Sequence, residues 1–82
     1  MEIEIYITLK KTISDPQGLT IKNALQSLGY HNLEEVRIGK LITLRLNSES
    51  KEEAEKIVNE MCRKLLANPI IEDYRFKIKS QE

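Results

Sequence analysis

One cysteine, Cys62, and one histidine, His31, are all that the sequence offers of the side chains that most often bind metals or form disulfides. A lone cysteine excludes an intrachain disulfide and a multi-cysteine metal site, and a single histidine leaves no histidine pair for one. Charge of one sign is also missing. The 13 acidic and 13 basic residues balance, which removes the electrostatic footprint of a nucleic-acid binder. Aromatic residues are few, and Tyr6 and Tyr74 are the only ones placed to serve as a base-stacking platform on an open sheet. No run approaches the roughly 18–20 apolar residues that a bilayer-spanning helix needs. Met1-Glu2-Ile3-Glu4 carries acid where a signal peptide carries base, so the expected location is cytoplasmic. No Gly-x-Gly-x-x-Gly or Gly-x-x-x-x-Gly-Lys-[Ser/Thr] loop is available to cradle a phosphate.

What is present is periodicity. Ile3, Ile5, Ile7 and Leu9 alternate with Glu2, Glu4, Tyr6, Thr8 and Lys10, the pattern of a half-buried strand. Asp15-Pro16 opens a helix, with aspartate as the cap and proline at the first helical position. Ile21, Ala24, Leu25 and Leu28 form one face of that helix, and Gly29 suits its left-handed end. Gly18 lies in the first turn, where it costs stability against alanine; a close backbone neighbour or a frayed turn would each explain it. Between Leu33 and Asn47, a tight Gly39-Lys40 hairpin would split the apolar residues between two faces. A continuous strand keeps Val36, Ile38, Ile42, Leu44 and Leu46 together, so a long middle strand bent near Gly39 is predicted, with a bulged hairpin as the alternative. Ser50-Lys51-Glu52-Glu53 is a capping box, and Ala54, Ile57, Val58, Met61 and Leu65 continue at helical spacing for about four turns. Asn68-Pro69 stops that helix, and Glu72 to Lys79 alternates again with Tyr74, Phe76 and Ile78 on one side. Residues 1–82 therefore read as one α+β domain, two helices on one face of a mostly antiparallel sheet, with 80–82 as a frayed tail. The order is related to the ferredoxin-like class. A domain this short buries only roughly 60–65% of its extended-chain surface, so self-association would add stability.

The candidates for chemistry are sparse. His31 falls in a connection and reads as a solvated loop residue, and Cys62 beside the apolar helix stripe reads as a structural thiol. Glu34-Glu35, Glu52-Glu53-Glu55 and Glu72-Asp73 lie on strand ends and helix faces, whereas acid–base catalysis needs a partly desolvated pocket. Arg37 and Lys40 put two cations near a bend. An acyl-phosphate hydrolase would need an arginine in a phosphate-binding loop, but Arg37, Arg45, Arg63 and Arg75 fall in expected strands or helices. Composition and spacing alone define a small binding or assembly module, with a free-standing ligand-binding regulatory domain as the rival reading.

Four stretches then add specificity. Asp15-Pro16-Gln17-Gly18, Ala24-Leu25-Gln26-Ser27-Leu28-Gly29-Tyr30, Val36-Arg37-Ile38-Gly39-Lys40 and Leu65-Leu66-Ala67-Asn68-Pro69-Ile70-Ile71-Glu72-Asp73-Tyr74 follow one another in a chain of this length. In this order they resemble the PurS family, the small subunit of phosphoribosylformylglycinamidine synthase, over residues 2–78. The resemblance implies a non-catalytic subunit that forms a dimer or tetramer. It would join a large synthetase subunit (PurL) to a glutaminase subunit (PurQ) and aid the passage of ammonia between them. That assembly converts formylglycinamide ribonucleotide, glutamine and ATP into formylglycinamidine ribonucleotide, glutamate, ADP and phosphate. No cofactor is expected on this chain, since ATP and Mg would bind the large subunit. Arg37, Lys40, Asp73 and Tyr74, near element ends, are the expected partner-contacting residues.

Overall fold

The computed structural model describes residues 1–79, so the expected tail at 80–82 lies outside the described residues. Five main elements follow in chain order: β1 (Glu2–Leu9), α1 (Pro16–Ser27), β2 (Gly39–Arg45), α2 (Lys51–Met61) and β3 (Glu72–Lys79). The strands form one antiparallel sheet in the order β2-β1-β3. This is the α+β class that the alternating and helical periodicities predict.

The central strand carries the core. Ile3, Ile5 and Ile7 are fully buried and stand opposite Leu44, Ile42 and Lys40 on β2, and opposite Ile78, Phe76 and Tyr74 on β3. Period-two geometry puts all of these on one face, and α2 covers it through Ala54 and Val58. α2 starts at Ser50, whose hydroxyl accepts the Glu53 N–H at 3.1 Å, with Glu52 and Glu53 in the positive first turn. It continues into a π-helical turn, Cys62–Leu66, closed by the Ala67 N–H donating to the Cys62 carbonyl at 3.0 Å. That turn keeps Cys62 in the core, where burial pushes its thiol pKa up and leaves it an unreactive packing group.

α2 is the helix that covers the sheet. None of the α1 residues belongs to the core cluster. α1 instead meets the connection that leads to β2, with Gly18 against the Val36 carbonyl and the Lys22 ammonium donating to the Glu34 carbonyl. Its C-terminus is a Schellman turn: the Gly29 N–H donates to Gln26, the Tyr30 N–H to Leu25, and Gly29 has φ +105°. The middle segment also departs from the long bent strand that its apolar pattern predicts. Regular pairing begins only at Gly39, which stands opposite Thr8. Residues 36–38 are engaged elsewhere: a Cβ on Gly18 would stand 2.2 Å from the Val36 carbonyl oxygen, and the Ile38 N–H is taken by Asp15. The close backbone neighbour is thus the reason for glycine at 18. Gly39 and Lys40 do not form a hairpin turn; both are ladder residues of β2.

Candidate functional site

The densest polar network lies where β1 ends and β2 and β3 begin. Asp15 is its root. One carboxylate oxygen caps α1 by accepting the Gly18 N–H at 3.0 Å, and the other accepts the Ile38 N–H at 2.7 Å. The side chain is 8% exposed, and these two backbone donors, Ile38 foremost, hold its pKa below the usual aspartate value. A single carboxylate therefore ties both ends of the α1 excursion to the same point. Arg37 repeats the device from the other side, donating from Nη2 to the carbonyls of Lys10 and Ile13 at 3.0 and 2.8 Å.

The β3 side is held by the Asn68-Pro69 turn. Asn68 Oδ1 accepts the Ile70 N–H at 3.0 Å, and the Glu72 carboxylate accepts the Asn68 N–H at 2.7 Å. The Lys10 N–H donates to the Ile71 carbonyl at 2.8 Å, and the Lys10 ammonium meets Asp73 at 2.8 Å. Lys40 approaches Glu72 only to 3.8 Å and keeps its side chain about two-thirds exposed, at 66%. Tyr74 faces the helix side, and its hydroxyl donates to Asn59 on α2.

The four residues that the sequence nominated share this end of the molecule but not one role. Lys40, Asp73 and Tyr74 line a recess of about 340 Å³ together with Tyr6, Thr8 and Arg75. Arg37 lies outside it, with its guanidinium engaged on the loop that roots α1. Two contributors escape sequence reading. Asp15 reads as an ordinary helix cap because Ile38, its second donor, is 23 residues away. Arg75 stacks on the Tyr6 ring at 4.3 Å from its centroid, with Lys77 at 5.7 Å, a pairing visible only once the β1–β3 register sets Tyr6 opposite Arg75. Beside it Glu4 accepts the Tyr6 hydroxyl at 3.0 Å and meets Lys79 at 3.1 Å. These contacts, Lys79 first, lower the Glu4 pKa, while the bond to Glu4 raises that of Tyr6.

Among the described residues, no three His, Cys, Asp or Glu side chains converge on a metal position. No described helix is long and apolar enough to cross a membrane. The charged side chains of the recess are Asp73, paired with Lys10; Lys40, 3.8 Å from Glu72; and Arg75, stacked on Tyr6. Fold and site together describe a small α+β module with an ordered polar end where the three strands meet.

The sequence matches the PurS family, described as phosphoribosylformylglycinamidine (FGAM) synthase, over residues 2–80, and the chain belongs to that family. The Bacillus subtilis phosphoribosylformylglycinamidine synthase subunit PurS is 41% identical over 78 residues, covering 95% of this chain and 92% of that protein. The crystal structure of Methanocaldococcus jannaschii PurS superposes with a TM-score of 0.88 at 42% identity, covering 99% of this chain and 98% of that one. A chain in the structure of PurLQS from Thermotoga maritima is also similar. Its TM-score is 0.86 at 33% identity, with 93% of each chain covered.

Proposed function

We propose that this chain is the small, non-catalytic subunit of phosphoribosylformylglycinamidine synthase. It joins the large synthetase subunit to the glutaminase subunit in purine biosynthesis and acts in the cytoplasm. The observation that carries this reading is the full-length likeness to PurS proteins, including a chain of the PurLQS structure at 93% coverage on both sides. The site supports it. Backbone groups at the sheet end are locked by Asp15, Arg37 and Asn68, so a docking partner meets a surface already ordered and pays little ordering entropy. ATP, Mg and the amidation chemistry belong to the large subunit, and glutamine hydrolysis to the glutaminase. The small subunit keeps the two centres close enough for ammonia to pass between them.

Within this reading Lys40, Asp73 and Tyr74 contact a partner, and Arg37 positions the loop behind them. Lys40 is the cleanest probe because its contact with Glu72 is long, at 3.8 Å, and its own side chain is 66% exposed. Lys40→Glu is expected to weaken the three-component complex about tenfold, the loss of roughly 1.4 kcal/mol at a contact of moderate weight. Circular dichroism of the isolated chain should stay unchanged. Titration of the variant against the other two subunits on a sizing column checks this, and wild-type affinity would remove Lys40 from the interface.

A further inference from the structure

We propose that the sheet face left uncovered by α2 is a docking surface for an acidic stretch of a partner protein, whose carboxylates seat on Arg75 and Lys77 beside Tyr6. The inference rests on the subunit reading and adds the face that engages and the chemistry by which it does so.

An antiparallel sheet with a helix on one side sorts its side chains by parity, and its second side stays open. Ile3, Ile5 and Ile7 belong to the core beneath α2, so Glu2, Glu4 and Tyr6 lie on the open face. The register sets Arg75 opposite Tyr6, Lys77 opposite Glu4, and both Lys79 and Arg45 opposite Glu2. Four cations thus face two carboxylates there, in a chain whose formal net charge is zero. The excess runs along β3, where Arg75, Lys77 and Lys79 follow at every second residue, about 7 Å apart.

Three of those cations go unanswered. Lys79 meets Glu4 at 3.1 Å, but among the described residues Arg75, Lys77 and Arg45 form no ion pair. Arg75 is nonetheless held in place. Its guanidinium lies over the Tyr6 ring, 4.3 Å from the centroid, and the ring is itself fixed by its hydroxyl donating to Glu4 at 3.0 Å. Lys77 approaches the same ring at 5.7 Å, so two like charges converge on one aromatic side chain. A flat guanidinium stacked on a ring keeps its N–H groups at the rim free to donate, the fork that a carboxylate accepts in pairs. Its orientation is set before a partner arrives, so little ordering entropy is lost on binding. Charge on an edge strand also discourages pairing with another strand, and β3 is an edge. That role accounts for lysines; it does not call for an arginine locked onto a tyrosine.

The shape and charge of the face select its occupant. Every residue lining the recess at Tyr6 and Arg75 belongs to the sheet, so no helix or loop closes over it. A small molecule there would keep much of its surface in water. A nucleic acid would meet Glu2 and Glu4 in the middle of the face and find the Tyr6 ring already stacked by Arg75. A protein segment with a few carboxylates fits both features. Its acids pair with Arg75 and Lys77, and Leu41, 55% exposed and opposite Tyr6, gives it an apolar contact. Asp73 lines the same recess, so the face is continuous with the polar end proposed above for partner contact.

The test is binding of the labelled chain to the matching large synthetase and glutaminase subunits. The wild type is compared with the double variant Arg75→Gln, Lys77→Gln and with Arg75→Lys, all at exposed positions. Between about 0.1 M and about 1 M salt the screening length falls from about 10 Å to about 3 Å, so wild-type affinity should drop steeply over that range. The double variant should bind about tenfold more weakly at low salt and respond less to salt, with unchanged circular dichroism and unchanged mass of the chain alone. Arg75→Lys, which keeps the charge without the fork, should fall between the two. The proposal is overturned if the complex forms and either variant binds as the wild type does. It is also overturned if the double variant changes the mass of the chain alone, since a second copy then covers the face. A rise in unfolding temperature with millimolar inorganic phosphate, seen for the wild type and not for the double variant, overturns it too, since the site then takes a free anion. If the wild type itself forms no complex, the subunit reading fails and takes this inference with it, a result distinct from full-strength binding by the variants.

Discussion

Asp15 holds two distant parts of the chain with one carboxylate. Its two oxygens accept from Gly18 and Ile38, so it is a helix cap and a long-range clasp at once. Because its folded pKa is lowered, its contribution is full above the ordinary aspartate range and is lost as pH falls through the lowered folded value. Asp15→Asn, which keeps the shape but gives up the charge, should therefore flatten the acid limb of the stability curve below about pH 4. Thermal unfolding of both proteins between acidic and neutral pH checks the sign: the wild type should lose its advantage on acidification. Half of this role is legible in Asp15-Pro16, since capping is local; the bond to Ile38 depends on the return path of the chain. Arg37 makes the same point. It reads as a free cation near a bend, and folding turns it inward onto two carbonyls that no local pattern nominates.

At the level of elements, β1 and β3 follow directly from alternation, because a sheet with one covered face sorts side chains by parity. α2 is equally legible from its cap, its stripe and the Asn68-Pro69 stop. The middle segment is not. Its apolar parity is right, with Lys40, Ile42 and Leu44 on the same side, but strand pairing starts only at Gly39 because residues 36–38 serve α1. α1 itself is recognisable as a helix, while its destination is hidden: an apolar stripe says that a surface will be covered, not which molecule covers it. The junction of α1 with residues 36–38 can be probed at Gly18, where a methyl group would press on the Val36 carbonyl. Gly18→Ala is expected to cost about 1–3 kcal/mol, the usual range for overpacking against backbone. Urea unfolding measures it, and a neutral or stabilising result would show that the helix start is freer than its contacts indicate.

As a whole molecule, the chain has a packed half and an open half. Ile3, Ile5, Ile7, Val58 and Cys62 make a small core, while Leu19, Ile21 and Leu28 of α1 and Leu65 beyond α2 are exposed. A domain of this size has only a few kcal/mol of net stability, so an interface that covers the open half decides how firmly the rest is held. The polar end at Lys10, Lys40, Glu72 and Asp73 is ordered by its own ion pairs, which suits a part that joins others. The positive motifs of the sequence locate the shared end of the sheet, whereas the contacts that order it show only in three dimensions.

The most direct measurement is amidation by the matching large synthetase and glutaminase subunits, assayed with glutamine and then with ammonia, in the presence and absence of this chain. Glutamine-dependent product should require the chain, and ammonia-dependent turnover should change little. If both activities are the same without it and no complex forms, the chain is not the subunit that couples the two centres.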